Sequence, residues 1–191
     1  MAALGDTPHR YGPVSRALHW GMAILFAAQF LSAAARWALP RGDAWRDLFW
    51  SYHVDLGSIL FMLVVIRGAW GLANLTRRPP HEGLMGRAAA AGHAAIYALM
   101  IVVPGARLVA SAGSTRGLEV LGLTVFPPRD TEIAWMTAVG EWHGEMGWIL
   151  AALIAGHVAF ALGWHRIIRR DGVYERMTAR GGAAAEGGGR P

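Results

Sequence analysis

Charged residues along this chain are spaced so that long apolar runs lie between them. Residues 17–35, 88–106 and 146–165 carry no formal charge, and each is close to the roughly 20 residues that a membrane-crossing helix needs. A further run, residues 50–72, is less clean. Asp55 and Arg67 sit one near each end of it, and residues 56–66 between them are apolar apart from Ser58. Charges placed in this way belong at helix ends or face a cofactor. The pattern predicts an all-α fold, an integral membrane four-helix bundle over residues 1–177, followed by a disordered Gly/Ala-rich tail over residues 178–191. The first run, which ends in Ser32-Ala33-Ala34-Ala35, also fits a cleavable signal peptide. We read it as a retained span. The loop over residues 113–140 reads as an ordinary solvated loop, with partner docking as the alternative.

Four spans put both termini on one side, and arginines choose the side. Twelve Arg lie in the two tails and the loop between the second and third runs, against six on the opposite side. The positive-inside rule then places both termini in the cytoplasm.

Composition sharpens this picture. Only 16% of the 191 residues are charged, 54% are hydrophobic, and there are 9 Trp and no Cys. A soluble domain usually carries about 25% charge. Without Cys there are no disulfides, thiolate metal sites, iron–sulfur clusters or covalent c-type haem. The net charge of +5 comes from Arg alone, since Lys is absent. Because the Arg residues flank apolar runs, they suit a membrane surface, and no nucleic-acid partner is expected.

Of eight His, His9, His81 and His165 lie in tails, loops or at a span edge and need no special role, whereas His19, His53, His93, His143 and His157 lie in or beside the runs. An imidazole within a bilayer is costly and usually functional, although a core His bonded to a carbonyl is the bland alternative for any one of them. Their placement together says more. His143 and His157 are 14 residues apart in the last span, which is about 21 Å along a helix and about 40° around it. They share a face, one near each membrane surface. Helix directions then match His53 with His143 at the outer side and His19 with His157 at the inner side. Two imidazoles from different helices are what a low-spin bis-His haem requires, and such sites are built in bundle cores. Small residues stand four positions after each of these four: Ala23, Gly57, Gly147 and Ala161. Tyr97 follows His93 at that distance. His93 could replace an inner ligand, bond a haem propionate or line a quinone site. Arg67 could pair with a propionate or a quinone headgroup, or snorkel toward water.

The segments Tyr11-Gly-Pro-Val-Ser-Arg-Ala-Leu-His19-Trp20, Tyr52-His53-Val-Asp-Leu-Gly57, Gly92-His93-Ala-Ala-Ile-Tyr97 and Trp142-His143 through Gly156-His157 resemble the bacterial cytochrome b561 family, which includes the b-type subunits of nickel–iron hydrogenases. The resemblance spans residues 10–177. It implies two non-covalent haem b groups, with His19 and His157 on the inner one and His53 and His143 on the outer one. It also implies electron transfer between an extracytoplasmic donor, superoxide in some members, and membrane ubiquinone. A second role in the family is that of membrane-anchor subunit in a dehydrogenase or hydrogenase complex. The expected partners are therefore lipid, quinone and either a periplasmic redox donor or a partner subunit. A Lys at a relative's quinone or superoxide site has no counterpart in this chain. The reading from a different class is a non-redox four-helix transporter or metal-binding protein.

Overall fold

The structure is a computed structural model that describes residues 4–78 and 83–178. The predicted tail from residue 179 and His81 lie outside the described residues.

Four helical stretches are long and apolar enough to cross a membrane: Pro13–Ala38, Ala44–Ala73, Gly83–Ala112 and Ala134–Arg169. The first is a single helix, α1 (Pro13–Ala38), with Pro at its first turn, where a missing N–H costs nothing. The second joins α2 (Ala44–Ser51) to α3 (His53–Ala73) through Tyr52. Asp43 caps α2 by accepting from the Trp45 and Arg46 backbone N–H groups at 2.9 and 3.1 Å. The third is α4 (Gly83–Ala112), with Pro104 inside it. The fourth strings together α5 (Ala134–Val139), a 3₁₀ turn and α6 (His143–Ala159), and continues as a π-helical stretch over Phe160–Arg169. At 36 residues it exceeds what a bilayer requires. That excess accounts for Arg166 lying nine positions beyond His157.

The outer loop is not wholly irregular. Strands β1 (Leu118–Val120) and β2 (Leu123–Phe126) pair antiparallel. Leu121 and Gly122 turn between them with φ of 52° and 76°, the doubly positive pattern of a tight hairpin turn. The Leu121 N–H donates to Asp55 Oδ1 at 2.8 Å, which ties the hairpin to the head of α3. The Asp55 that interrupts the second apolar run is therefore explained by a loop contact.

In the bundle α1 packs on α2 and α3, α3 on α4, and α4 on α5 and α6. Met22, Leu60, Val64, Met100 and Leu150 form the buried core at mid-height. Leu60 is seven residues from both His53 and Arg67, and Leu150 seven from both His143 and His157. An apolar layer thus separates two polar levels. Large apolar residues such as Ile24, Leu72 and Ile149 are 70%, 73% and 55% exposed. Facing water, that surface would drive aggregation; facing lipid, it is the expected exterior.

The first and last described segments gather at one end of the bundle. Tyr11 N–H donates to Arg176 O at 3.2 Å, and Trp20 Nε1 to Met177 O at 2.8 Å. Arg10 and Arg16 both donate to Thr178 O. Asp6 is buried there, accepting from Gly12 N–H, Ser15 Oγ and Arg78 Nε at 2.9, 2.6 and 3.1 Å. Trp70 Nε1 in turn donates to Ser15 Oγ at 2.9 Å.

Candidate functional site

The two expected histidine pairs face each other across the bundle. At the end away from the termini, the rings of His53 on α3 and His143 on α6 are 6.1 Å apart, centre to centre, at 79°. At the end with the termini, His19 on α1 and His157 on α6 are 6.2 Å apart, also at 79°. Two metal–nitrogen bonds of about 2 Å in line, plus about 1.2 Å from each nitrogen to its ring centre, add to about 6 Å. Both pairs therefore have the separation that a shared metal requires. Among the described residues no cluster of three or more His, Cys, Asp or Glu could hold a metal ion. The donor set is thus two imidazoles at each level, which suits a metal whose other ligands come from a macrocycle.

The outer pair is held by oxygen acceptors. Ser32 Oγ donates its one proton to Gln29 O at 2.6 Å. Toward His53 Nδ1, 2.8 Å away, it can then only accept. His53 therefore carries its proton on Nδ1 and turns the Nε2 lone pair inward. His143 reaches the same state by donating from Nδ1 to Val103 O at 2.9 Å, beside Pro104. Such second partners fix the tautomer and ring orientation of a metal-binding His. In this structure Gln29 Nε2 sits 3.2 Å from His53 Nε2, an amide N–H against the lone pair a metal would take.

Between the outer imidazoles lies a cavity of about 430 Å³, lined by Phe26, Phe30, Phe61, Gly57, Gly147 and Trp148 among others. A Cβ on Gly147 would meet nothing within 4 Å, whereas one on Gly57 would lie 3.1 Å from Gln29 Nε2. Flat aromatic walls, open glycine backbone and an unpartnered buried Gln29 Oε1 fit a planar apolar group with polar edges. Trp50 stacks on His53 at 4.4 Å and 20°, and the Arg36 guanidinium lies 4.1 Å over Trp50.

The inner pair has different company. Arg67 Nη2 lies 3.2 Å from His19 Nδ1. Guanidinium can only donate, so this Nδ1 accepts and a neutral His19 carries its proton on Nε2; holding a metal through Nε2 requires that proton to move to Nδ1 and this contact to open. Arg67 also lies 5.4 Å over the Tyr97 ring. It is turned into the bundle and does not snorkel. His93 stands 5.1 Å from His157 at 70°, and its Nδ1 donates to Ala89 O at 2.7 Å. Every residue singled out from the sequence is therefore at one of the two levels, and Arg67 and His93 both join the inner one.

Ser32, Gln29 and Trp50 were not anticipated. Ser32 and Gln29 carried a usable signal, as polar side chains in an apolar run. A second signal is the 14-residue spacing of His143 and His157, which recurs as His53 and Arg67 on α3. His165, expected to have no special role, pairs through Nδ1 with Asp171 Oδ2 at 2.8 Å.

The sequence matches the family described as prokaryotic cytochrome b561 over residues 10–180. The Escherichia coli (strain K12) protein named cytochrome b561 homolog 2 is 29% identical over 178 residues, covering 92% of this chain and 94% of that protein. Four apolar spans, imidazole pairs at two levels and a match over nearly the whole chain agree: the chain belongs to the prokaryotic cytochrome b561 family and is a multi-pass membrane b-type cytochrome.

Proposed function

We propose that this chain is a di-haem cytochrome that passes electrons from an extracytoplasmic donor to membrane quinone. His53 and His143 hold the outer haem, and His19 and His157 the inner. The observation that carries this is the repeat of one geometry at two depths: 6.1 Å and 79° at one end, 6.2 Å and 79° at the other. When bound, each haem supplies an iron that gains and loses one electron at a time.

The chain's own residues do the rest. The two imidazoles at each level would hold the iron from both sides and leave no position for oxygen, which favours electron transfer over oxygen chemistry. Ser32 and Val103 hold the outer rings in the ligating tautomer. The layer of Met22, Leu60, Val64, Met100 and Leu150 excludes water between the two levels and fixes their separation. His93, whose ring centre is 5.1 Å from that of His157 and so closer than a shared metal allows, lines the inner level as a propionate or quinone-headgroup partner and is not a ligand. The Arg distribution places the termini, and the inner level with them, on the cytoplasmic side of a bacterial inner membrane. Residues 1–177 then form one membrane domain. Superoxide is a candidate donor.

The second reading is a membrane-anchor subunit of a dehydrogenase or hydrogenase complex. It is favoured by the outer hairpin, whose Leu121 and Leu123 are 64% and 71% exposed. A tetrahedral zinc site is not favoured, since among the described residues no group of three or more His, Cys, Asp or Glu could hold a metal ion.

The test is rapid mixing of the purified chain, first with candidate donors including superoxide, then with a soluble ubiquinone. Donor-driven haem reduction followed by reoxidation on quinone addition is expected. Reduced haem that ignores quinone overturns the quinone assignment, and a chain that reacts only when co-purified with a partner supports the anchor reading.

A further inference from the structure

The two levels differ in the charge that touches their ligands. At the outer level every partner of an imidazole Nδ1 is a neutral oxygen, Ser32 Oγ or Val103 O. At the inner level the partner of His19 Nδ1 is the Arg67 guanidinium, a cation at any pH. An acceptor behind a ligating imidazole raises its basicity and stabilises the oxidised metal. A fixed positive charge does the opposite, because one electron added to the site lowers its charge.

Other cations must be weighed against Arg67. Arg36 lines the outer cavity, and both it and Arg107 are exposed side chains toward the outer level, but among the described residues neither donates to an imidazole. Arg36 is also separated from His53 by the Trp50 ring. Arg67 is half-buried and in direct contact with the imidazole. Among the described residues no Asp or Glu forms an ion pair with it, whereas Arg78, nearby on the same side, is paired with Asp6. The unneutralised charge closest to a proposed ligand is therefore at the inner level.

We infer that Arg67 holds the reduction potential of the inner haem above that of the outer one and so directs electrons inward. This rests on the assignment of the two imidazole pairs as haem ligands. The step it governs is the passage of one electron from the outer iron, which is oxidised, to the inner iron, which is reduced, with no bond made and no proton moved. Arg67 is a positioning residue in this scheme: its charge acts on the inner level through space, since a His19 that ligates through Nε2 carries its proton on Nδ1 and no longer accepts from Arg67.

The test is an optical redox titration of the purified holoprotein and of Arg67→Gln and Arg67→Lys. The outer and inner midpoints are identified from His19→Ala and His53→Ala, each of which keeps one haem. The expected result in the unsubstituted protein is an inner midpoint above the outer. In Arg67→Gln the inner haem should become at least tenfold harder to reduce, about 59 mV for one electron, with the outer midpoint unmoved. Arg67→Lys, which keeps the charge, should retain most of the difference. An unchanged inner midpoint in Arg67→Gln, an equal fall in Arg67→Lys, or an outer midpoint above the inner in the unsubstituted protein overturns the inference. Haem content separates this from failure of the ligand assignment: a preparation with two haems per chain and a flat Arg67→Gln response sinks the role of Arg67 alone.

Discussion

The outer and inner ends of this bundle share one device and surround it differently. Each end sets two imidazoles about 6 Å apart at 79°, and each draws one of them from α6. At the outer end the rings are braced by a serine and a backbone carbonyl, and they face a cavity walled by aromatics and open glycines. At the inner end a guanidinium and a third imidazole crowd the pair, and buried Asp6 binds Ser15 and Arg78. Ligand identity and spacing decide that a haem can be held. The surrounding partners decide how readily it is reduced and what else reaches it.

Breaking one end should leave the other. His53→Ala or His143→Ala is expected to halve the haem content by removing the outer haem. His19→Ala or His157→Ala should remove the inner one, and the absorption and midpoint of the surviving haem should differ between the two groups. Loss of the same haem from His19→Ala and His53→Ala would mean that the pairing by depth is wrong.

A subtler change acts on space. Gly147→Leu should block the outer cavity and empty that level while the inner haem stays, since nothing now stands within 4 Å of the position a Cβ would take. Haem content and the outer midpoint report it. Retention of both haems would mean that the cavity is not where the outer haem lies.

Ser32→Ala tests the bracing. It removes the acceptor that fixes His53 Nδ1, and outer haem affinity should fall about tenfold, measured by haem transfer to an apo-acceptor protein. An equal loss from the inner level would show general unfolding. Asp6→Ala tests the inner closure. It leaves Arg78 without its buried partner and should cost about 1.5–3 kcal/mol. Thermal unfolding followed through the inner haem band should shift down. His93→Ala should have the smallest effect on haem content, with both haems kept. Loss of the inner haem there, with His19→Ala keeping it, would reassign the ligand.

The larger plan was legible in the sequence because lipid imposes strong rules. Charge-free runs of about 20 residues mark spans, and the 14-residue step from His143 to His157 puts one imidazole at each depth. What the sequence hid depends on contacts between distant segments. Asp55 read as a charge at a helix end or facing a cofactor; it lies in the first turn of α3 and binds the backbone of a hairpin residue 66 positions away. Arg67 was open to three uses, and only packing brings it to His19. The hairpin itself is short, and its strands lie in a loop whose composition suggested no order. Ser32 read as part of a signal-peptide cleavage site, and the fold buries it against His53.

The central claim is that two irons are held at two depths by four named imidazoles. Haem b per chain, measured by pyridine haemochrome on quantified protein alongside the His19→Ala/His53→Ala double variant, tests it most directly. The account predicts two haems in the unsubstituted chain and none in the double variant. One haem per chain, or haem that survives the loss of both His19 and His53, would contradict it.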